Sequence, residues 1–129
     1  MPGPINRPVS IFFTADVTLT LATEVIVLTL PGISTESGGQ VVRLIATIQV
    51  TTVAAATTGT MRWRRSSLTG TLVGEANAFT VVASTTTPFS HAVDDAPGEV
   101  ASLAYVLTYT AAGSAATAIQ GEAIAITSS

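Results

Sequence analysis

Apolar and polar residues alternate along most of this chain with a period of two, which is typical of β-strands. In residues 41–52 every second position from Val42 to Val50 is apolar, and the positions between them include Arg43, Thr47 and Gln49. Residues 102–110 repeat this pattern, and the strand formers Thr and Val are abundant throughout. Because no stretch shows the helical period of 3.6, the pattern predicts β-structure along the whole chain.

Segments that contain Pro, Gly or small polar residues divide this pattern into eight or nine strands. These strands are predicted at residues 11–21, 25–30, 41–52, 60–65, 68–74, 78–83, 88–93, 102–110 and 117–127. The strand at 25–30 is apolar on both faces, so we expect it to be buried on both. Pro97 followed by Gly98 predicts a type II turn. Gly121 is expected to mark a β-bulge, because the apolar phase of the last strand changes close to it.

Eight or nine short strands without a helix predict an all-β, antiparallel β-sandwich. A jelly roll is preferred to an immunoglobulin-like topology, since the cysteine pair of many immunoglobulin domains is missing here. The 129 residues suit one domain, which we place at residues 11–129. Residues 1–10 are predicted to form an extended arm, because three prolines in this segment disfavour both helix and regular strand pairing.

The composition indicates a protein whose surface is covered by other subunits. Only 10% of the residues are charged, whereas about 25% is usual, and the mean hydropathy is +0.56. No apolar run approaches the ~18 residues of a membrane-spanning helix, and the start, MPGPINRPVS, lacks the apolar core of a signal peptide. A charge-poor, apolar chain of this kind would expose apolar patches as a monomer, so we expect an oligomer. The net charge of −3 argues against nucleic acid as a partner.

His91 and the nearby acids are the candidates for catalysis or metal binding. His91 precedes Asp94 and Asp95 closely enough for a base with its orienting carboxylate, or for two metal ligands. Asp94, Asp95 and Glu99 could also gather around a calcium ion. The alternative is a histidine at a strand end followed by an ordinary acidic turn, and we prefer it because the chain has one histidine and no cysteine. The sequence thus predicts no catalytic residue, no cofactor and no metal site.

The segment 60–74, TMRWRRSSLTGTLVG, concentrates the unusual residues of the chain. Met61 and Trp63 share one strand face, which we expect to lie in the core. Arginine suits paired contacts at interfaces, so the three arginines of this segment are predicted to face a neighbouring subunit, where Glu24, Glu36 or Glu75 could complement them. A solvated outer face is the other interpretation. With the arm, the interface candidates are Arg62, Arg64, Arg65, Pro2, Pro4 and Arg7.

Several segments occur in a familiar order: VTLTL, VIVLTLPG, QVVRLIATIQV, TMRWRRSSLTGTLVGEAN and DDAPGEVASLAYVLTYTAAGSAATA. Together they cover most of residues 15–127. In the residue types of these segments and in their order, the chain resembles small jelly-roll proteins of bacteriophage particles, namely head decoration proteins, head fibres and the tips of tail fibres. The resemblance implies trimers about a three-fold axis, a structural role without catalytic residues, and synthesis in the host cytoplasm.

We therefore expect a non-enzymatic structural protein of a virus particle that forms a homotrimer and contacts other virion proteins. The alternative is a module that binds a carbohydrate or a host receptor through residues near Trp63, Tyr105 or Tyr109. Exposure of these aromatic side chains discriminates between the two. An exposed aromatic pair favours sugar binding, whereas buried aromatic side chains favour the structural role.

Overall fold

A computed structural model describes residues 7–13, 17–35, 39–51, 56–112 and 116–128, and these residues form nine β-strands. The strands are β1 (Arg7–Phe13), β2 (Val17–Leu19), β3 (Glu24–Thr35), β4 (Val41–Thr51), β5 (Thr57–Arg65), β6 (Leu72–Val81), β7 (Thr86–Asp95), β8 (Val100–Ala112) and β9 (Ala116–Ser128). No helix is assigned to the described residues. The prediction of an all-β protein with eight or nine strands is confirmed.

The strands form two antiparallel sheets with the topology of a jelly roll. The five-stranded sheet has the order β1-β9-β4-β7, with β2 pairing to β9 beyond the end of β1. The four-stranded sheet has the order β3-β8-β5-β6. Apart from the β5–β6 hairpin, the connections from β2 onward cross from one sheet to the other. This alternation is the double Greek key of a jelly roll, as predicted.

The core lies between the two sheets and is filled from the positions that the alternation predicts. The inward residues of β4, from Val42 to Val50, are all buried. Opposite them, Met61 and Trp63 of β5 are completely buried, which confirms their predicted core position. The central strand β8 is buried on both faces, because Thr108 on its outer face is covered by side chains of the neighbouring strands.

Two predicted strands, 68–74 and 78–83, are one strand in the structure. β6 begins at Leu72 and continues to Val81, and its pairing with β5 shifts between Met61 and Trp63. The shift places extra residues around Gly74, whose φ of +67° interrupts the alternation. An irregularity of this kind interrupts the alternation, so the sequence pattern predicts a loop there. The backbone nevertheless stays paired on either side of it.

Bulges also account for two other errors of the sequence prediction. In β9 the register with β4 shifts at Ile119, whereas Gly121 pairs regularly with Ile48. In β3 the pairing shifts between Ile26 and Leu28. This shift lets the consecutive residues Val27 and Leu28 both be buried, while Ile26 is 38% exposed. The segment is thus an edge strand with a bulge, and the prediction of burial on both faces was wrong.

The two ends of the sandwich differ in their loops. One end carries the described loops at residues 20–23 and 82–85, and the other carries those at 66–71 and 96–99. At the second end Gly98 has φ of +80°, as the predicted type II turn requires. There Thr35 joins two strands of the four-stranded sheet, because its hydroxyl donates to the carbonyl of Gly98 and accepts from the Val100 N–H.

The first strand begins inside the segment that was predicted as an arm. β1 starts at Arg7 and pairs with β9 from Thr127 to Gly121. The preceding arm residues, with the interface candidates Pro2 and Pro4, lie outside the described residues. Residues 7–10 therefore belong to β1, and the extended arm stays a prediction for residues 1–6.

Candidate functional site

Arg64, an interface candidate, binds an acid of its own chain. On the outer face of the four-stranded sheet its Nε donates to Glu24 Oε2 at 2.6 Å, and its Nη2 donates to Oε1 at 3.0 Å. Thr108 Oγ1 donates to the same carboxylate at 2.6 Å. The Arg64 hydrogen bonds, opposed by burial and aided by Thr108, hold the pKa of Glu24 below its usual value. The sequence predicted Glu24 as a complement on a neighbouring subunit, and the structure places it within the chain.

Arg65, the second interface candidate of β5, joins the two sheets. Its Nε and Nη2 donate to the Asp95 carboxylate at 2.8 and 2.6 Å, and the Tyr105 hydroxyl donates to Asp95 Oδ2 at 2.8 Å. The Asp95 side chain is only 10% exposed. Burial would raise the pKa of Asp95, but the hydrogen bonds from Arg65 and Tyr105 outweigh it and lower the pKa. These three residues form the sheet-joining network.

Arg62 forms fewer hydrogen bonds within the chain than Arg64 or Arg65. Its Nη1 donates to Thr110 Oγ1 at 3.1 Å, and in the described part of the chain it forms no ion pair. Arg43 instead pairs with Asp94 at 3.1 Å on the open surface, where both side chains are more than half exposed. The side chain of Arg7 lies outside the described part. Of the three arginines of β5, Arg62 therefore has the most capacity for a contact outside the chain.

His91 is on β7, and it lines a cleft together with residues of β6. These two strands are the edge strands of the two sheets. Its side chain is buried, and its backbone carbonyl accepts a hydrogen bond from Trp63 Nε1 at 3.3 Å. Burial lowers the pKa of His91, and a hydrogen bond to the Glu75 backbone opposes this. Its Nε2 is buried and has no hydrogen-bond partner among the described residues. Burial thus favours the neutral form of His91 in the folded protein.

The carboxylates of Asp94 and Asp95, which are close to His91 in the sequence, bind arginines instead. Asp94 accepts from Arg43, and Asp95 accepts from Arg65 and Tyr105. Within the described residues no group of three or more His, Asp or Glu side chains could hold a metal ion. A polar cleft of about 460 Å³ does lie beside His91, with Glu75, Asn77 and Ser90 among its lining residues. Among the described residues, His91 Nε2 is hydrogen-bonded neither to a carboxylate nor to a hydroxyl group.

The network of Asp95 was missed from sequence, although the pattern contains a signal for it. Asp94 and Asp95 were both assigned to a turn. However, alternation along β7 places Phe89, His91 and Val93 on the inward face, and Asp95 continues that phase. An acid at an inward position predicts a buried partner, since a buried charge is costly without one.

We expect the stability of the protein to fall as the pH drops below about 6.5, and we assign the first part of this effect to His91. The unfolded chain takes up a proton near the ordinary histidine pKa of about 6.5. The folded protein resists protonation because the pKa of buried His91 is lowered. Unfolding therefore binds a proton in this window, and the free energy of unfolding decreases by up to about 1.4 kcal/mol per pH unit. Urea denaturation at a series of pH values measures the slope.

The variant His91→Gln serves as the control, because this is the one histidine of the chain. Its profile should be nearly flat between about pH 5.5 and 6.5. Glu24 and Asp95, whose pKa values are also lowered, contribute stability that is lost only at lower pH. An unchanged slope in the His91→Gln variant would contradict the assignment.

Comparison with known proteins gives structural neighbours but no relative by sequence. No protein-family model matches the chain, and no curated protein matches it. A chain in the structure of infectious bursal disease virus Gx strain aligns over 96% of this chain with a TM-score of 0.54 and 11% identity. A chain of the VP2 subviral particle of the same virus aligns over 95% with a TM-score of 0.50 and 11% identity. These structural alignments show that this chain has the same fold as the aligned part of the viral chains.

This chain spans about a third of those viral chains, since the alignments cover 32% of each. A chain of the disulfide-linked pili of Bacillus endospore appendages also aligns, over 98% of this chain and 88% of its own, at 16% identity. Its TM-score of 0.39 is too low to support a conclusion. Among the described residues no helix is long and apolar enough to cross a membrane.

Proposed function

We propose that this chain is a non-enzymatic structural protein of a virus particle, of the bacteriophage decoration or fibre type. It assembles as a homotrimer in the virion and contacts other virion proteins. Support comes first from the jelly roll, which aligns over nearly all of this chain with chains from infectious bursal disease virus particles.

The observation that carries the proposal is the burial of the aromatic side chains. Trp63, Tyr105 and Tyr109 are completely buried. Phe79 and Phe89 are partly buried and contact each other with ring centroids 4.4 Å apart. The described aromatic residues therefore offer no exposed platform on which a sugar ring could stack. This favours the structural role over the carbohydrate- or receptor-binding module.

One observation supports the alternative function, a carbohydrate- or receptor-binding module. It is the polar cleft beside His91. Hydroxyl and amide groups such as those of Ser90 and Asn77 could hydrogen-bond a glycan there. Titration with a panel of host-cell glycans tests this alternative. Saturable binding that Asn77→Ala abolishes would favour it over the structural proposal.

Self-association is the first test of the structural proposal. At micromolar concentration, sedimentation velocity and light scattering should give the mass of a trimer or of a multiple of it. Arg62→Gln should weaken association about tenfold, because it removes the cation of β5 that forms no ion pair among the described residues. Arg43→Gln is the matched control, since Arg43 already pairs with Asp94 on an open surface. A stable monomer of the unmodified protein would refute the proposed assembly.

A further inference from the structure

At one end of the sandwich, the described loops contain no charged residue. The described loops 20–23 and 82–85, together with the strand ends beside them, are called the charge-free end. These strand ends are held side by side. Leu21 bridges Ala111, Thr58 pairs with Ala112 and Thr80, and Thr51 pairs with Thr86 and Thr117.

The charges of the described residues lie further along the strands. In the four-stranded sheet, Arg62 is opposite Thr108 rather than near Ala112. In the five-stranded sheet, Glu122 is opposite Thr47 rather than Thr51. Glu24 directly follows the loop 20–23, but its carboxylate is bound by Arg64 and Thr108. The charge-free end therefore presents apolar and neutral groups.

The charge-free end also carries the most exposed large apolar side chains of the described residues. Val82 is 61% exposed and Leu21 is 47% exposed, whereas the other exposed large apolar side chains range from 38% to 43%. The two residues come from different loops, and both loops adjoin neutral strand ends. Apolar side chains that are exposed beside uncharged strand ends can be covered by a partner without desolvating a charged group.

Charge decides which partner fits this surface. A charged partner surface would lose hydration against the charge-free end and find no opposite charge there. Two copies of this chain, each with a net charge of −3, would repel one another through their charged regions. They can approach through their charge-free ends without bringing like charges together. The charge-free end of a second copy is uncharged and keeps the like charges of the two copies apart.

We propose that two copies of this chain bind each other end to end through their charge-free ends. Val82 and Leu21 of each copy are covered in this contact. Two identical surfaces that face each other are related by a two-fold axis, whereas the proposed trimer needs a three-fold interface. The contact is thus separate from the proposed function and would pair monomers or whole trimers.

A charge introduced at position 82 tests the contact. Val82→Glu buries an unpaired carboxylate in the interface, so end-to-end association should weaken about tenfold or more. Sedimentation velocity should then show half the mass of the unmodified assembly. Leu68→Glu is the matched control, because Leu68 is exposed in the loop at the opposite end, and it should leave the mass unchanged. Thermal unfolding confirms that both variants fold.

Cross-linking gives an independent measurement, because the chain has no cysteine. Thr20→Cys places one thiol on the charge-free end, and Thr71→Cys places one at the opposite end, both at exposed positions. A short bismaleimide should join the Thr20→Cys protein into covalent dimers and leave Thr71→Cys mostly as single chains. Equal cross-linking of the two, or an unchanged mass for Val82→Glu, would overturn the end-to-end contact. A trimer that persists in Val82→Glu would leave the proposed function intact.

Discussion

Replacing Gly59 with alanine is expected to destabilise the protein by about 3 kcal/mol or more. Gly59 lies in β5 beside Ala111 and Phe79, and the ring of Tyr109 covers it. A Cβ at this position would lie 1.8 Å from Tyr109 Oη and 1.9 Å from Cζ. Tyr109 is fully buried, so its ring has little space to move. Overpacking of a dense core typically costs about 1–3 kcal/mol, and more where the backbone must shift.

The midpoint of urea denaturation measures this effect, and the chain offers a matched control. Gly39 has nothing within 4 Å of an added Cβ, so Gly39→Ala should leave the midpoint nearly unchanged. Combining Gly59→Ala with Tyr109→Leu should restore part of the lost stability, because the shorter side chain makes room for the methyl group. A Gly59→Ala protein as stable as the original would show that Tyr109 does not occupy this space.

The Tyr109 hydroxyl is itself a further reason to vary this position. It is buried without a hydrogen-bond partner among the described residues, and burial raises its pKa to about 12. Removing an unsatisfied polar group from a core is nearly neutral or stabilising. Tyr109→Phe should therefore match or slightly exceed the stability of the original protein, which shows that the ring and not the hydroxyl is needed.

Replacing Asp95 with alanine should cost about 3–5 kcal/mol. The change leaves the Arg65 guanidinium and the Tyr105 hydroxyl without their shared acceptor in a largely buried site, and breaking a buried ion pair has a cost of this size. It also removes a connection between the two sheets, because Asp95 is on β7 whereas Arg65 and Tyr105 are on the other sheet. Chemical denaturation at pH 7 measures the loss.

The adjacent residue provides the control for Asp95. Asp94 pairs with Arg43, but both side chains are more than half exposed, and exposed ion pairs contribute about 0–1 kcal/mol. Asp94→Ala should therefore have a small effect. In addition, Asp95→Leu combined with Arg65→Met should recover much of the stability, since apolar pairs often replace buried ion pairs without loss. Equal losses for Asp94→Ala and Asp95→Ala would contradict the sheet-joining role.

The alternation of residues was sufficient to predict the sheets but not their irregularities. β4 was predicted almost to the residue because its inward positions are uniformly apolar and its pairing with β7 is regular. β6 was divided into two strands because an irregular pairing near Gly74 breaks the period of two. Bulges depend on the partner strand, and the partner of a strand in a jelly roll is distant in sequence.

The candidate site was predicted less well, because ion pairs depend on three-dimensional neighbours. The sequence identified the arginines of β5 as unusual and named Glu24 as a complement. It could not show that β8 places Glu24 and Arg64 on one face of the same sheet. Whether Arg62 contacts another subunit stays a prediction, and the same holds for the other interface candidates.

The strand order also has a consequence for how the chain folds. β1 and β4 do not pair with each other, because β9 lies between them, and β8 lies in the same way between β3 and β5. Each sheet therefore needs a strand from late in the sequence before its early strands have neighbours. Chains with such distant pairing typically fold in milliseconds to seconds, and their unpaired strands are prone to aggregate meanwhile. Expression yield should thus depend on chaperones and temperature more than the final stability suggests.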